Sequence, residues 1–173
     1  MARLEMGSAE LVWESSDLPR AEWTPVGPSS YELLYRSGAG LTPRPLRRIA
    51  SGGELSRVML ASKVVLGNAD GVDTLVFDEV DAGVGGSTAR ALAGVLADLA
   101  ATHQVIVVTH LAQVAVMADK HYVVSKEPGD VPQTHLGEVT GEARTAEIAR
   151  MLSGDQSEAS LAHAKQMLEE ARG

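Results

Sequence analysis

The hydrophobic pattern changes period along the chain. Residues 3–13 alternate loosely, with Leu4, Met6, Ala9, Leu11 and Trp13 apolar, a weak strand signal. Residues 14–30 are polar and carry Pro19, Pro25 and Pro28, so they read as a surface loop. Tyr31 to Arg36 reads as a strand, Ser37 to Gly40 as a turn, and Pro43 and Pro45 keep the following chain extended. From Gly53 to Leu66 the period becomes helical. Leu55, Val58, Met59, Ser62 and Leu66 form the main stripe, widened by Ala61, Val64 and Val65, which predicts a largely buried helix ending at Gly67-Asn68.

Two continuous apolar runs follow, Thr74–Phe77 and Gln104–Thr109, each apolar on both faces as a buried parallel strand requires. Between them, Leu92, Val95, Leu96 and Leu99 fall at helical spacing in a segment that Ser87 is expected to cap and that ends near Ala101. Strand, helix and strand in this order predict a right-handed parallel βαβ unit. A short helix over about 111–117, strands over about 121–126 and 133–139 around a Pro128-Gly129-Asp130 turn, and helices over about 142–152 and 158–171 complete the expectation. The fold class is α/β, with a parallel core, flanking antiparallel strands and two C-terminal helices.

The pattern places the candidate chemistry. Ligands of open parallel α/β sheets bind beyond the C-terminal ends of the strands. Asp78 and Glu79 follow the first apolar run and His110 follows the second. An apolar strand ending in two carboxylates suits Mg²⁺-nucleotide chemistry, since the hard cation takes oxygen ligands and keeps several waters. Asp78 is the metal candidate. Glu79 is the candidate base that orients or deprotonates an attacking water. His110 is placed to hydrogen-bond a γ-phosphate. Each has a plainer structural alternative: solvated acids at a strand end, and a capping histidine.

Before these runs stands Ser51-Gly52-Gly53-Glu54, a capping-box pattern at a helix start. Two glycines leave the N–H groups bare at the positive end of the helix dipole, a setting that favours an anion such as phosphate. The stretch alone reads equally as a capped helix without a ligand. Gly83-Val-Gly-Gly-Ser-Thr88 lies where a phosphate loop would, but Gly86 stands where a P-loop needs lysine, and Thr88 where a dinucleotide fingerprint needs Gly or Ala.

Composition narrows the classes. The 173 residues suit one domain, 45% are hydrophobic and only 3% aromatic, which fits layered α/β packing better than a base-stacking platform. The chain has no cysteine, which excludes disulfides and cysteine-ligated zinc, and His103, His121, His135 and His163 show no metal-ligand spacing. A net charge of −8 makes it a poor general DNA clamp, although Arg44, Arg47, Arg48 and Arg57 give a local basic cluster. No signal peptide and no apolar stretch of membrane-spanning length is legible, so no membrane role is expected.

Taken together, Ser-Gly-Gly-Glu opening a helix, an apolar strand ending in Asp-Glu, and a strand ending in Thr-His resemble the C-terminal half of an ATP-binding-cassette head. Val-Phe-Asp-Glu-Val-Asp-Ala-Gly-Val-Gly-Gly, Val-Thr-His-Leu-Ala-Gln-Val-Ala and His-Tyr-Val-Val-Ser-Lys-Glu narrow the likeness to SMC-like ATPases of bacterial double-strand-break repair. The tail Glu-Ala-Arg and Glu-Ile-Ala-Arg-Met-Leu-Ser-Gly fits too, so the likeness is firmest over 43–127 and 141–154.

The resemblance implies the C-terminal lobe of a split P-loop NTPase head. Residues 1–48 would form a small sheet and loop, 49–140 the core, and 141–173 the closing helices. It casts Ser51, Gly52, Gly53 and Glu54 as the signature motif that binds ATP, Asp78 as the Walker B aspartate at Mg²⁺, Glu79 as the catalytic glutamate and His110 as the switch histidine. The implied partners are an N-terminal P-loop lobe with a coiled coil, a second head joined through ATP, and DNA through the whole protein, in the bacterial cytoplasm at the nucleoid. Two departures stand out: the chain has no Gly-x4-Gly-Lys-[Ser/Thr], and Gly85 occupies the place of the usual D-loop aspartate. The split explains the first, and implies that the lobe alone is inactive. The alternatives are a non-enzymatic interaction domain on this scaffold, another SMC-like head, or a transporter cassette, the last disfavoured because such cassettes are continuous.

Overall fold

A computed structural model describes residues 4, 6–49, 51–127 and 133–171. Three small sheets and five helices make up the described chain. Strands β1 (Glu10–Asp17), β2 (Ser29–Arg36) and β3 (Arg44–Pro45) form an antiparallel sheet in the order β1-β2-β3. The first strand thus runs further into the polar stretch than its alternation indicates, because pairing from Glu10↔Arg36 to Asp17↔Ser29 carries it there. Helix α1 (Gly52–Leu66) follows, then β4 (Thr74–Phe77), α2 (Gly86–Ala100) and β5 (Gln104–Val107). Strands β4 and β5 pair in parallel from Thr74↔Gln104 to Phe77↔Val107, the predicted βαβ unit. Helix α3 (Ala112–Ala115) leads to an antiparallel pair, β6 (His121–Glu127) and β7 (Gln133–Val139). Helices α4 (Gly141–Ser153) and α5 (Glu158–Glu170) close the chain. The Pro128-Gly129-Asp130 turn lies outside the described residues.

The main core joins Leu75 and Phe77 of β4 to Leu92, Val95, Leu96 and Leu99 of α2 and to Leu60 of α1. A second cluster holds α3, α4 and α5 together through Ala115, Ile148, Ala149, Ala164 and Leu168. A third seats the first sheet on α1 through Ala9, Tyr35 and Val58.

Three expectations need correction. The buried stripe of α1 is Val58, Leu60 and Ala61, whereas Met59, Val64, Val65 and Leu66 are exposed, so the helix is half covered. Apolar residues surround this helix on most sides, so periodicity alone did not select the inward face. Ser87 does not cap α2: the helix starts at Gly86, two residues earlier than a Ser87 cap would give, with Gly85 as its N-cap and no side-chain cap hydrogen bond. And the parallel strands are covered on one face only. Leu75 and Phe77 are buried, while Val76 is 65% exposed, Ile106 47% and Val108 58%. Parallel sheets ordinarily have both faces covered; this one has a layer on one side and a bare apolar surface on the other.

Candidate active site

The C-terminal ends of β4 and β5 bring the predicted residues together. Asp78 and Glu79 leave β4, and Thr109 and His110 leave β5 beside them, with the Val108 N–H donating to the Phe77 carbonyl at 2.9 Å. Asp78 and Glu79 are exposed.

Helix α1 starts against the same strand end. Ser51 is its N-cap, its Oγ accepting from the Glu54 N–H at 3.3 Å. This is one arm of the capping box. The Glu54 carboxylate faces elsewhere and accepts from the Tyr35 hydroxyl at 3.0 Å, fixing α1 to the first sheet. Burial, and then that hydrogen bond, push the Tyr35 phenol up to about 12.

Three contacts bolt α1 to the loop after β4. The Ser56 hydroxyl donates to the Asp78 carbonyl at 2.8 Å. The Arg57 guanidinium donates to the Val80 and Ala82 carbonyls at 3.2 and 2.8 Å. Arg57 is therefore a structural clasp and does not contribute to a free basic spot; Arg47 likewise pairs with Glu32 at 2.9 Å.

The glycines add close packing to these hydrogen bonds. A Cβ on Gly53 would lie 2.7 Å from the Ala82 Cβ and 2.8 Å from the Glu79 carbonyl oxygen, so only glycine lets the backbones approach this closely. A Cβ on Gly52 would fall 2.3 Å from Glu79 Oε2. The Glu79 carboxylate thus lies against the first turn of α1, where the N–H groups and helix dipole favour negative charge. Glu79 also has φ 56, the one left-handed non-glycine among the described residues. That conformation costs about 1 to 3 kcal/mol and persists where surrounding structure enforces it. Gly53 packed on its carbonyl and Arg57 holding the Val80 and Ala82 carbonyls supply that enforcement.

Two residues that the sequence reading did not single out complete the site. Asp81 is 2% exposed. Its Oδ2 accepts from the Thr109 hydroxyl at 2.5 Å and the His110 N–H at 2.9 Å, and lies 3.0 Å from His110 Nδ1. Thr109 Oγ1 in turn accepts from the Leu111 N–H at 3.0 Å. Asp81 therefore staples the loop after β4 to the loop after β5. The legible signal was a second aspartate in Asp-Glu-Val-Asp beside a Thr-His pair: a buried carboxylate needs donors, and those two residues supply them.

As a set of donors, the site fits one part of a magnesium-nucleotide centre. Asp78 offers an exposed carboxylate for a hydrated cation, Glu79 a second carboxylate that lies against the start of α1, and His110 an exposed ring. No lysine stands where a P-loop needs one, so the cradle for the other phosphates is not in this chain.

The comparisons agree with this partial character. No protein-family model matches the chain. It is 52% identical over 146 residues to the DNA repair protein RecN of Treponema pallidum, covering 83% of this chain and 26% of that protein. It is 48% identical over 165 residues to RecN of Deinococcus radiodurans, covering 95% and 29%. The chain therefore spans little more than a quarter of the length of these relatives. Among solved structures, an Smc head domain with coiled coil and joint from Pyrococcus yayanosii aligns with a TM-score of 0.57 at 21% identity, over 99% of this chain and 27% of that one. The Smc head from Pyrococcus furiosus, bound to the C-terminal domain of ScpA, aligns at 0.53 and 21%, over 99% and 35%. These two likenesses concern the fold.

Proposed function

From the premise that this chain is a RecN-like C-terminal head lobe, we propose that it forms half of an ATPase head acting in DNA double-strand-break repair. The observation that carries the reading is the one-sided sheet. Two parallel strands place Asp78, Glu79 and His110 at their C-terminal ends, yet leave Val76, Ile106 and Val108 bare on the other face. An N-terminal lobe carrying the P-loop covers that face and supplies the missing phosphate cradle. Within this lobe, 1–48 brace α1, 49–140 carry the chemistry and 141–173 close the second core.

Each residue then has a role. Asp78 holds Mg²⁺ through water, and the ion, when bound, neutralises charge on the phosphates. Glu79 accepts a proton from the attacking water. His110 hydrogen-bonds the γ-phosphate. Ser51, Gly52, Gly53 and the cap arm of Glu54 present the N-terminus of α1 to a phosphate held by a second head. The Glu79 carboxylate and a phosphate are alternative occupants of that helix start, since like charges repel there. ATP binding thereby joins two heads, and turnover releases them to gate the hold of the whole protein on DNA. The lobe alone binds ATP weakly. This casts the protein as a bacterial, nucleoid-associated one; among the described residues no helix is long and apolar enough to cross a membrane.

The test is Glu79→Gln in a protein carrying both lobes. Retained ATP binding with turnover reduced at least a hundredfold is expected, the loss of a general base being worth about 10² to 10⁴. Unchanged hydrolysis removes Glu79 from that role. A non-enzymatic interaction domain would show no hydrolysis with either residue.

A further inference from the structure

The role proposed for His110 requires one ring nitrogen to face outward and to be free to bind or release a proton there. The ring is exposed, its side chain 70% accessible, so packing does not orient it. What orients it is Asp81, whose side chain is 3% accessible. We propose that Asp81 is a positioning residue that holds His110 in the Nδ1–H tautomer and turns Nε2 towards the substrate side of the site; the inference rests on the reading of His110 given above.

The argument is one of donors and acceptors. Asp81 Oδ2 receives the His110 backbone N–H at 2.9 Å and the Thr109 hydroxyl at 2.5 Å. Both groups are fixed by the end of β5, so the oxygen is fixed with them. The ring nitrogen 3.0 Å away must then meet an acceptor. A carboxylate only accepts, so Nδ1 carries the proton. In neutral imidazole the other nitrogen is left with its lone pair, and which nitrogen is which is set by the hydrogen bond the first one makes. Nε2, on the far side of the ring, thus faces outward with its lone pair when the ring is neutral, and becomes the donor that a γ-phosphate oxygen needs when it takes up a proton. The backbone N–H and the ring nitrogen of one residue meeting one buried oxygen fix both the position and the rotation of the imidazole. The cost of burying Asp81 is offset by these three contacts, two from neutral donors fixed in the chain and one from the ring.

The chain itself allows the test. At a pH high enough that the ring signals no longer change, long-range proton–nitrogen NMR correlations report which ring nitrogen carries the proton. The Nδ1–H form is expected to dominate at His110. Asp81→Ala is expected to shift the ring to mainly Nε2–H. Asp81→Asn is expected to keep the Nδ1–H form, because the His110 and Thr109 donors hold the amide oxygen in the carboxylate's place. A dominant Nε2–H form in the unaltered chain, or a tautomer ratio that Asp81→Ala leaves unchanged in a folded protein, overturns the proposal.

In a protein carrying both lobes, Asp81→Ala is expected to lower kcat about 10- to 100-fold with little change in KM, the range typical of a lost orienting partner, and Asp81→Asn to restore most of it. No loss from Asp81→Ala where His110→Ala does lose turnover overturns the positioning role. No loss from either variant instead removes His110 from catalysis, and so overturns the reading beneath it.

Discussion

At the scale of single residues, Gly52 and Gly53 do different jobs although they are adjacent. A methyl on Gly53 meets backbone atoms of Glu79 and Ala82, which cannot move without displacing the turn. Gly53→Ala is therefore expected to destabilise the chain by about 1 to 3 kcal/mol, the usual cost of overpacking, measured by denaturant unfolding. A methyl on Gly52 meets only the end of the Glu79 side chain. Gly52→Ala is expected to change stability by less than about 1 kcal/mol while displacing that carboxylate, so that its effect appears in turnover of the two-lobed protein. Equal destabilisation by both substitutions contradicts this distinction. The sequence showed that glycines belong at this helix start and that Ser51 caps it. It did not show that Glu79 lies against them, because that contact joins residues far apart in the chain through a tertiary approach that no local pattern encodes.

At the scale of elements, one side chain adds hydrogen bonds to the apolar junction of α3 with α4. The Arg144 guanidinium donates from Nη2 to the carbonyls of Ala115, Val116 and Ala118 at 3.2, 3.3 and 2.6 Å, satisfying the end of α3. Arg144→Ala is expected to cost about 2 kcal/mol, the scale of charge-assisted hydrogen bonds, and Arg144→Lys to recover only part of it. Calorimetric melting checks both.

Two groups in these elements give the stability its acid limb. Burial, and then the charge of Arg144, hold His121 below its ordinary 6.5. The unfolded chain therefore takes up a proton that the folded one resists, and stability falls as pH drops below 6.5. His121→Gln is expected to flatten that part of the profile. After Gly154 ends α4 in the left-handed conformation, Asp155 accepts from the hydroxyls of Ser160, Ser157 and Ser153 and from the Ser157 N–H. These bonds hold its carboxyl at about 2, below the ordinary 3.8. Its contribution is present above 3.8 and is lost as pH falls towards 2, and Asp155→Asn is expected to abolish that step.

Helix boundaries and most later strand boundaries were legible to within a few residues, because glycine, proline and period changes mark them; the first strand was not, being expected before residue 14 and found over Glu10–Asp17. The inward face of α1 was not, since Met59, Val64 and Val65 are as apolar as Leu60 and Ala61, and tertiary packing made the choice.

At the scale of the whole molecule, the two apolar runs suit the larger two-lobed object proposed above. Residues apolar on both faces of β4 and β5 predict burial on both sides, and one side is bare. That bare face is what the proposed N-terminal lobe would cover. Val76→Lys and Ile106→Lys are accordingly expected to leave the thermal midpoint of this chain nearly unchanged, as substitutions on exposed positions do, and to abolish its association with a P-loop lobe. Destabilisation of the isolated chain by these substitutions would mean that the face is already covered.

The central claim is that this chain holds half of an ATPase site. The direct measurement is ATP turnover by this chain, by a P-loop-bearing N-terminal lobe of a RecN-like protein, and by the two mixed. Turnover only in the mixture, lost with Glu79→Gln, is the expected result; hydrolysis by this chain alone, or a mixture in which Glu79→Gln makes no difference, contradicts it.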